Sequence, residues 1–159
     1  MIKAVTATDL ADLTLKAAES SRRRLNLNLH ESGEALVQRL FLAIEPDSYI
    51  RPHRHPQAHK WELFVLLAGE IDLLIFNDEG KIVRRENLTA LATRAVELPP
   101  NTWHSYVSYV PGALAIEIKE GAFIPSTADD FAPWSPAEGT PEAHDFLRWM
   151  KNRTPIQQK

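Results

Sequence analysis

The spacing of apolar and polar positions divides the chain into three stretches. Over residues 8–24, Leu10, Leu13 and Ala17 recur at helical spacing and form a narrow apolar stripe. Thr8 can cap this helix, with Asp9 and Asp12 in its first turn. Arg22, Arg23 and Arg24 fall where cations complement the helix dipole. From residue 35 to 120 the period shortens. Apolar runs at 36–44, 62–67, 71–76, 95–98, 103–108 and 113–119 read as strands. Gly69, Asn77-Asp78-Glu79-Gly80, Pro99-Pro100-Asn101 and Pro111-Gly112 divide them, Gly80 being suited to a positive φ. Short strands with turn signals between them predict an all-β sandwich or barrel. Residues 126–139, with Phe131 and Trp134 among prolines and a glycine, predict an ordered loop draped on that barrel. Thr140-Pro141-Glu142 then opens a closing helix: an N-cap, Pro at the first helical position and an acid in the first turn. Phe146, Trp149 and Met150 make its apolar face.

A length of 159 residues fits one domain. Within it, residues 1–34 are an N-terminal helical segment, 35–122 the β-barrel, and 123–159 a loop and helix packed on the barrel. With 44% hydrophobic and 25% charged residues the chain can bury a core without staples. A net charge of -3 argues against a nucleic-acid partner. The absence of cysteine excludes disulfides, thiolate metal sites and a cysteine nucleophile. The N-terminus is interrupted too early, by Asp9 and Asp12, to read as a signal peptide, and no apolar run is long enough for a membrane span. A soluble, cytoplasmic protein is expected, and a homodimer, since an uncovered edge strand invites pairing.

The chemistry gathers in two places. His53, His55 and His59 fall close together, and Glu62 follows just before an apolar run. His104 follows the turn Pro99-Pro100-Asn101-Thr102 after one intervening residue, Trp103. Residues two apart on a strand share a face, so His53 and His55 can reach one ion, Glu62 can add an oxygen, and His104 can enter from a distant hairpin. Three imidazoles and a carboxylate are a ligand set for one divalent Zn, Fe, Mn or Ni ion. A solvated histidine-rich surface loop is the plainer reading of residues 51–56. His59 could replace Glu62 as ligand, line the pocket or sit on the outside; His30 and His144 are left out of the site.

These residues resemble the two signature motifs of the cupins. The first, a His-x-His pair followed by Glu and Gly, corresponds to His53, His55, Glu62 and Gly69. The second, Pro-x-Gly-x-x-His, corresponds to residues 99–104. Asp47 and Asn101 stand where the motifs carry Gly, and the step from His55 to Glu62 is two or three residues longer than usual. A narrower likeness runs over about residues 20–150. Arg24-Leu25-Asn26-Leu27-Asn28-Leu29-His30, Gln38-Arg39, residues 48–56, Lys60-Trp61-Glu62, Glu117-Ile118-Lys119 and Trp134-Ser135-Pro136-Ala137-Glu138-Gly139 together look like the WbuC family of cupin-fold metalloproteins. That resemblance implies a mainly β fold, a single double-stranded β-helix (jelly-roll barrel) with N- and C-terminal α-helices, and a bound metal. It also implies an association with bacterial surface-polysaccharide, or O-antigen, gene clusters.

Further candidates flank the ligands. Arg39, Arg51 and Arg54 are candidate substrate-binding groups, able to grip a carboxylate or phosphate, or else lie on a solvated strand edge. Tyr106 shares a strand face with His104 and offers a phenol for proton transfer, against a plain core role. Glu117 and Lys119 share a strand face and form either an acid–base couple or a surface ion pair. The expected function is a metalloenzyme acting on a small sugar-related or anionic molecule, as an isomerase or epimerase would. An Fe(II)-dependent dioxygenase, a non-enzymatic ligand-binding or sensor cupin, and a metal-free sugar epimerase remain alternatives.

Overall fold

A computed structural model describes residues 2–156. Two antiparallel sheets face each other, each covered on its outer side by one helix. In chain order the elements are α1 (Ala7–Glu19), β1 (Arg24–Asn28), β2 (Val37–Ile44), β3 (Glu62–Ala68) and β4 (Ile71–Phe76). Then follow β5 (Ile82–Leu88), β6 (Ala95–Leu98), β7 (His104–Ser108), β8 (Ala113–Glu120), a 3-10 turn (Ala128–Asp130) and α2 (Pro141–Asn152). One sheet has five strands in the order β1-β2-β8-β3-β6, the other three in the order β5-β4-β7. This is the mainly β architecture with two flanking helices that the sequence predicts.

Alternation along the strands builds the core. Ile44, Phe64, Leu66, Ile71, Leu73, Leu88, Tyr106 and Ala115 point between the sheets. Phe64 and Leu73 have no exposed surface, and burying each contributes about 2–3 kcal/mol. Leu74, Phe76, Ile82 and Val107 face the other way, where Ala143, Leu147 and Met150 of α2 cover them. On the opposite side Leu13 and Ala17 of α1 seat on Ala43 and Leu114. Gly69 turns β3 into β4 at φ +83°, with Ala113 so near that an added Cβ would lie 2.9 Å from it. A larger residue has no room there.

Several local expectations are corrected. The first helix starts at Ala7, capped by Thr6 in a reciprocal capping box with Asp9, and not by Thr8. It ends at Glu19, so the arginine triplet lies beyond it. Arg23 takes a positive φ of 55°, and Arg24 opens β1, an added strand paired antiparallel with β2. Residues 1–34 therefore contribute to the sheet as well as a helix. His53 and His55 are not on a strand; they belong to the irregular crossing between β2 and β3, where His53 forms only isolated bridges to His104 and Phe131.

Candidate functional site

Backbone pairing brings the distant histidines together. The His53 N–H donates to the His104 carbonyl (3.0 Å) and the His104 N–H to the His53 carbonyl (2.9 Å). The Asn101 N–H donates to the His55 carbonyl at 2.7 Å, which ties the turn before His104 to the same crossing. Asn101 adopts φ 61°, a left-handed conformation that Asn tolerates better than most residues. The rings of His53 and His104 consequently lie 4.4 Å apart, and His55 is 5.4 Å from His53 and 6.1 Å from His104.

Glu62 reaches the same point from β3, where it pairs in register with Lys119 of β8. Its Oε1 lies 2.9 Å from His55 Nε2 and 3.0 Å from Lys119 Nζ, and its Oε2 lies 2.9 Å from His104 Nε2. Lys119 also pairs with Glu117, two positions back on the same strand face. Tyr106 stacks on Phe64 with ring centres 4.1 Å apart and lies edge-on to His104. The four expected ligands and the three acid–base candidates thus meet in one cluster.

Electrostatics polarises this cluster. Burial pushes the Glu62 carboxyl upward, but the Lys119 ammonium and His104 outweigh it and hold the group well below the usual carboxylate range. Burial also works against the Lys119 ammonium, yet Glu117 and Glu62 raise its pKa above the ordinary lysine value. His53 is held neutral by burial and by its neighbour His104. His104 is shifted upward because the Glu62 carboxylate more than offsets its burial. Burial, with Glu62 and Glu117 nearby, keeps the Tyr106 phenol protonated well above its ordinary pKa.

The donor types suit a divalent transition metal. Nδ1 of His53 bonds to the Arg51 carbonyl and Nδ1 of His104 to the Thr102 carbonyl, both at 2.9 Å. A carbonyl accepts only from N–H, so each Nδ1 carries a proton; the neutral His53 ring therefore keeps a lone pair on Nε2, while Nε2 of His104 faces the Glu62 carboxylate. Nε2 of His55, Nε2 of His104 and Oε2 of Glu62 are buried without a well-formed hydrogen bond, despite the close approaches to Glu62. The positions, however, do not compose a cage: among the described residues no group of three or more His, Asp or Glu is arranged to hold an ion. Glu62 instead faces two imidazoles and an ammonium.

Beside the cluster lies a cavity of about 280 Å³, lined by His53, His55, Tyr106, Glu117 and Lys119 among others. The shared face of β8 that carries Glu117 and Lys119 is therefore the cavity face. Arg51 lines the cavity as well. Arg39 does not: it borders a separate surface hollow with Lys3 and Glu31. Nor does Arg54, whose guanidinium lies 4.2 Å over the Trp103 ring. Odd-numbered positions of β2 face away from the cavity that Gln38 and Leu42 enter, which places Arg39 outside. His59 is exposed and packs near Gly121.

Sequence reasoning gave no site role to Lys60, Gln38 or Glu138 and preferred a helix end to an anion site for Arg22 and Arg24, yet all five line the cavity. Arg22 and Arg24 both bind Glu138, so the arginine run read as a helix end is joined to the C-terminal loop. The only sequence signal for this was the co-occurrence of the two segments in the WbuC-like pattern.

The two facing sheets, the crossing that carries His53 and His55, and the turn before His104 together make the cupin fold. Solved structures agree with that class. KdgF from Halomonas sp. is 15% identical, with a TM-score of 0.50 over 63% of this chain and 80% of its own. A cupin 2 domain-containing protein from Halorhodospira halophila is 14% identical, with a TM-score of 0.51 over 85% of each chain. An oxalate oxidase bound to the substrate analogue glycolate is 13% identical, with a TM-score of 0.52 over 69% of this chain and 56% of its own. At these identities the likeness is one of fold, and proteins of this fold include enzymes such as the oxidase. By sequence the chain belongs to the family described as Domain of unknown function (DUF6016), whose model matches residues 5–88. No curated protein matches it.

Proposed function

We propose that this protein is a metal-dependent cupin enzyme acting on a small, sugar-related molecule. The observation that carries the reading is the convergence of the His53, His55 and His104 rings and the Glu62 carboxylate beside a cavity, with Nδ1 of His53 and of His104 tied to backbone carbonyls. With Glu62 released from Lys119, His53, His55, Glu62 and His104 would hold one divalent ion, which would supply Lewis-acid polarisation of a carbonyl or hydroxyl oxygen. Ligand types alone accept Zn, Fe, Mn and Ni alike.

The chain's own residues divide the remaining work. Tyr106 holds a phenol proton inside the cavity and can donate it to an oxygen that gains charge. Glu117 is the cavity-facing carboxylate outside the ligand set, placed to take a proton from carbon or hydroxyl. Lys119 keeps that carboxylate oriented. A cavity near the small end of ligand sites fits a single sugar ring better than a chain of them. The WbuC-like pattern supports a place in surface-polysaccharide metabolism. Among the described residues no helix is long and apolar enough to cross a membrane.

A second reading has one observation behind it. Lys119 already supplies a cation to Glu62, as a metal-free isomerase with Tyr106 and Lys119 as proton carriers would require. Metal titration separates the two. After EDTA treatment, calorimetry with Zn, Mn, Ni and, under anaerobic conditions, Fe(II) should show one equivalent binding to the wild type. His53→Ala and His104→Ala should each weaken it at least a hundredfold. Failure of every metal to bind stoichiometrically would leave the metal-free reading standing.

A further inference from the structure

The cations of the cavity wall are not equivalent. Arg22 and Arg24 share the Glu138 carboxylate, and Lys119 pairs with Glu62 and Glu117. Two others are held only by neutral acceptors. The Arg51 guanidinium donates to Ser135 Oγ (3.0 Å) and the Ala132 carbonyl (3.2 Å), and its charge centre lies 5.2 Å over the Phe131 ring. The Lys60 ammonium donates to the Ala122 carbonyl at 2.9 Å. Among the described residues neither has a carboxylate within ion-pair distance, although Lys60 is only 5% exposed.

Burying a cation without a counter-ion is costly, and a protein ordinarily pairs it or leaves it in water. These two are instead fixed by carbonyl and hydroxyl oxygens while both line the cavity. The arrangement pre-orients them: Lys60 has two N–H groups beyond the bond to Ala122, and Arg51 has donors beyond those given to Ser135 and Ala132. They also come from separate segments. Arg51 precedes His53 and packs against the C-terminal loop, while Lys60 precedes Glu62 and is tied to the chain after β8.

We infer that Lys60 and Arg51 form an anion subsite that takes the carboxylate or phosphate of a small substrate and sets its neutral part toward His53, His55 and Tyr106. The inference rests on the cavity being the substrate site proposed above, but not on the metal. It narrows the substrate class to small organic oxyanions, such as a sugar acid or a sugar phosphate. Binding energy from the anionic group is then available to position the reacting carbon, which is the use of a remote substrate anchor.

The test is calorimetric titration of the EDTA-treated protein and, in parallel, of protein carrying one equivalent of zinc. The probes are D-glucuronate, succinate and inorganic phosphate, with D-glucose and succinamide as uncharged counterparts. At least one anion should bind the metal-free protein tenfold or more tightly than the uncharged probes, and more weakly as salt is raised. Lys60→Met and Arg51→Met should each reduce that affinity about tenfold, while zinc still binds. A preference for glucuronate or succinate assigns the carboxylate source, and a preference for phosphate the phosphate source. Equal affinity for charged and uncharged probes would overturn the inference, without need of the variants should either fail to fold. So would anion affinity unchanged in both variants. Loss of zinc binding with anion preference intact would instead sink the metal reading alone.

Discussion

Replacing Lys119 by Met keeps the length of an apolar stem and deletes one charge. In the native protein that ammonium contacts two carboxylates, Glu62 at 3.0 Å and Glu117. Glu62 is 2% exposed and Glu117 6%, so water cannot replace the lost cation. Removing one member of a buried ion pair costs about 3–5 kcal/mol. An upper limit follows from protonation: the folded chain can always neutralise one carboxyl. From a carboxyl pKa near ~4.3, holding that proton at pH 7 costs roughly 3.7 kcal/mol. Lys119→Met should therefore destabilise metal-free protein by about 3–4 kcal/mol at pH 7.

The limit also fixes the pH dependence. In the variant the retained carboxyl has a folded pKa raised above its unfolded value. Its penalty is absent below the unfolded pKa and grows as pH rises toward the folded one, by about 1.4 kcal/mol per unit. In the wild type Glu62 is depressed, so its stabilising contribution is present above the unfolded pKa and fades only as pH falls through the folded value. Between pH 7 and 5.5 only the variant's penalty changes, and the difference shrinks to roughly 1.6 kcal/mol at pH 5.5. Urea denaturation of EDTA-treated wild type and variant at pH 5.5, 6.2 and 7.0 measures it. The double variant Lys119→Met/Glu117→Gln, with one carboxylate fewer, should recover at least a third of the loss at pH 7. A difference under 1 kcal/mol at pH 7, or one that does not change with pH, would refute the picture of a buried carboxylate–ammonium–carboxylate chain.

Two further outcomes test the scaffold around the site. Asn101 occupies a left-handed backbone position, so Asn101→Val should cost about 1–2 kcal/mol and Asn101→Gly almost nothing. Because this turn sets His104, metal affinity should fall with Val and hold with Gly; thermal unfolding and zinc titration read the two effects, and equal stabilities would count against strain there. Arg85 bonds Asp72 and the carbonyls of Met150 and Arg153, so it ties β5 to the end of α2. Arg85→Met should lose about 3 kcal/mol and speed amide exchange in residues 141–152, and unchanged exchange would show that the apolar face alone holds the helix.

Much of this protein is legible along the chain because the relevant physics is local. Apolar runs bounded by turn residues located β3, β4, β6, β7 and β8 nearly to the residue, since strands that join the core must carry apolar side chains. Pro141 after Thr140 marked the start of α2 because proline lacks the N–H that a first helical position leaves unbonded. The spacing of His53, His55 and His104 pointed to a shared site through its likeness to a known motif. Strand β1 escaped notice because Leu25, Asn26, Leu27 and Asn28 sit on a sheet edge, where little apolar burial is demanded.

Only the tertiary structure decided which charges share a cavity. Arg39 and Arg51 are equally basic, yet strand parity turns one outward and the crossing segment turns the other in. Lys60 carried no assigned role in the sequence, and the chain after β8 supplies a carbonyl for its ammonium. Coulombic and hydrogen-bond energies depend on separation in space, whereas sequence spacing constrains separation only within an element. Side-chain type is therefore written in the chain, but the partner that gives each charge its meaning comes from packing.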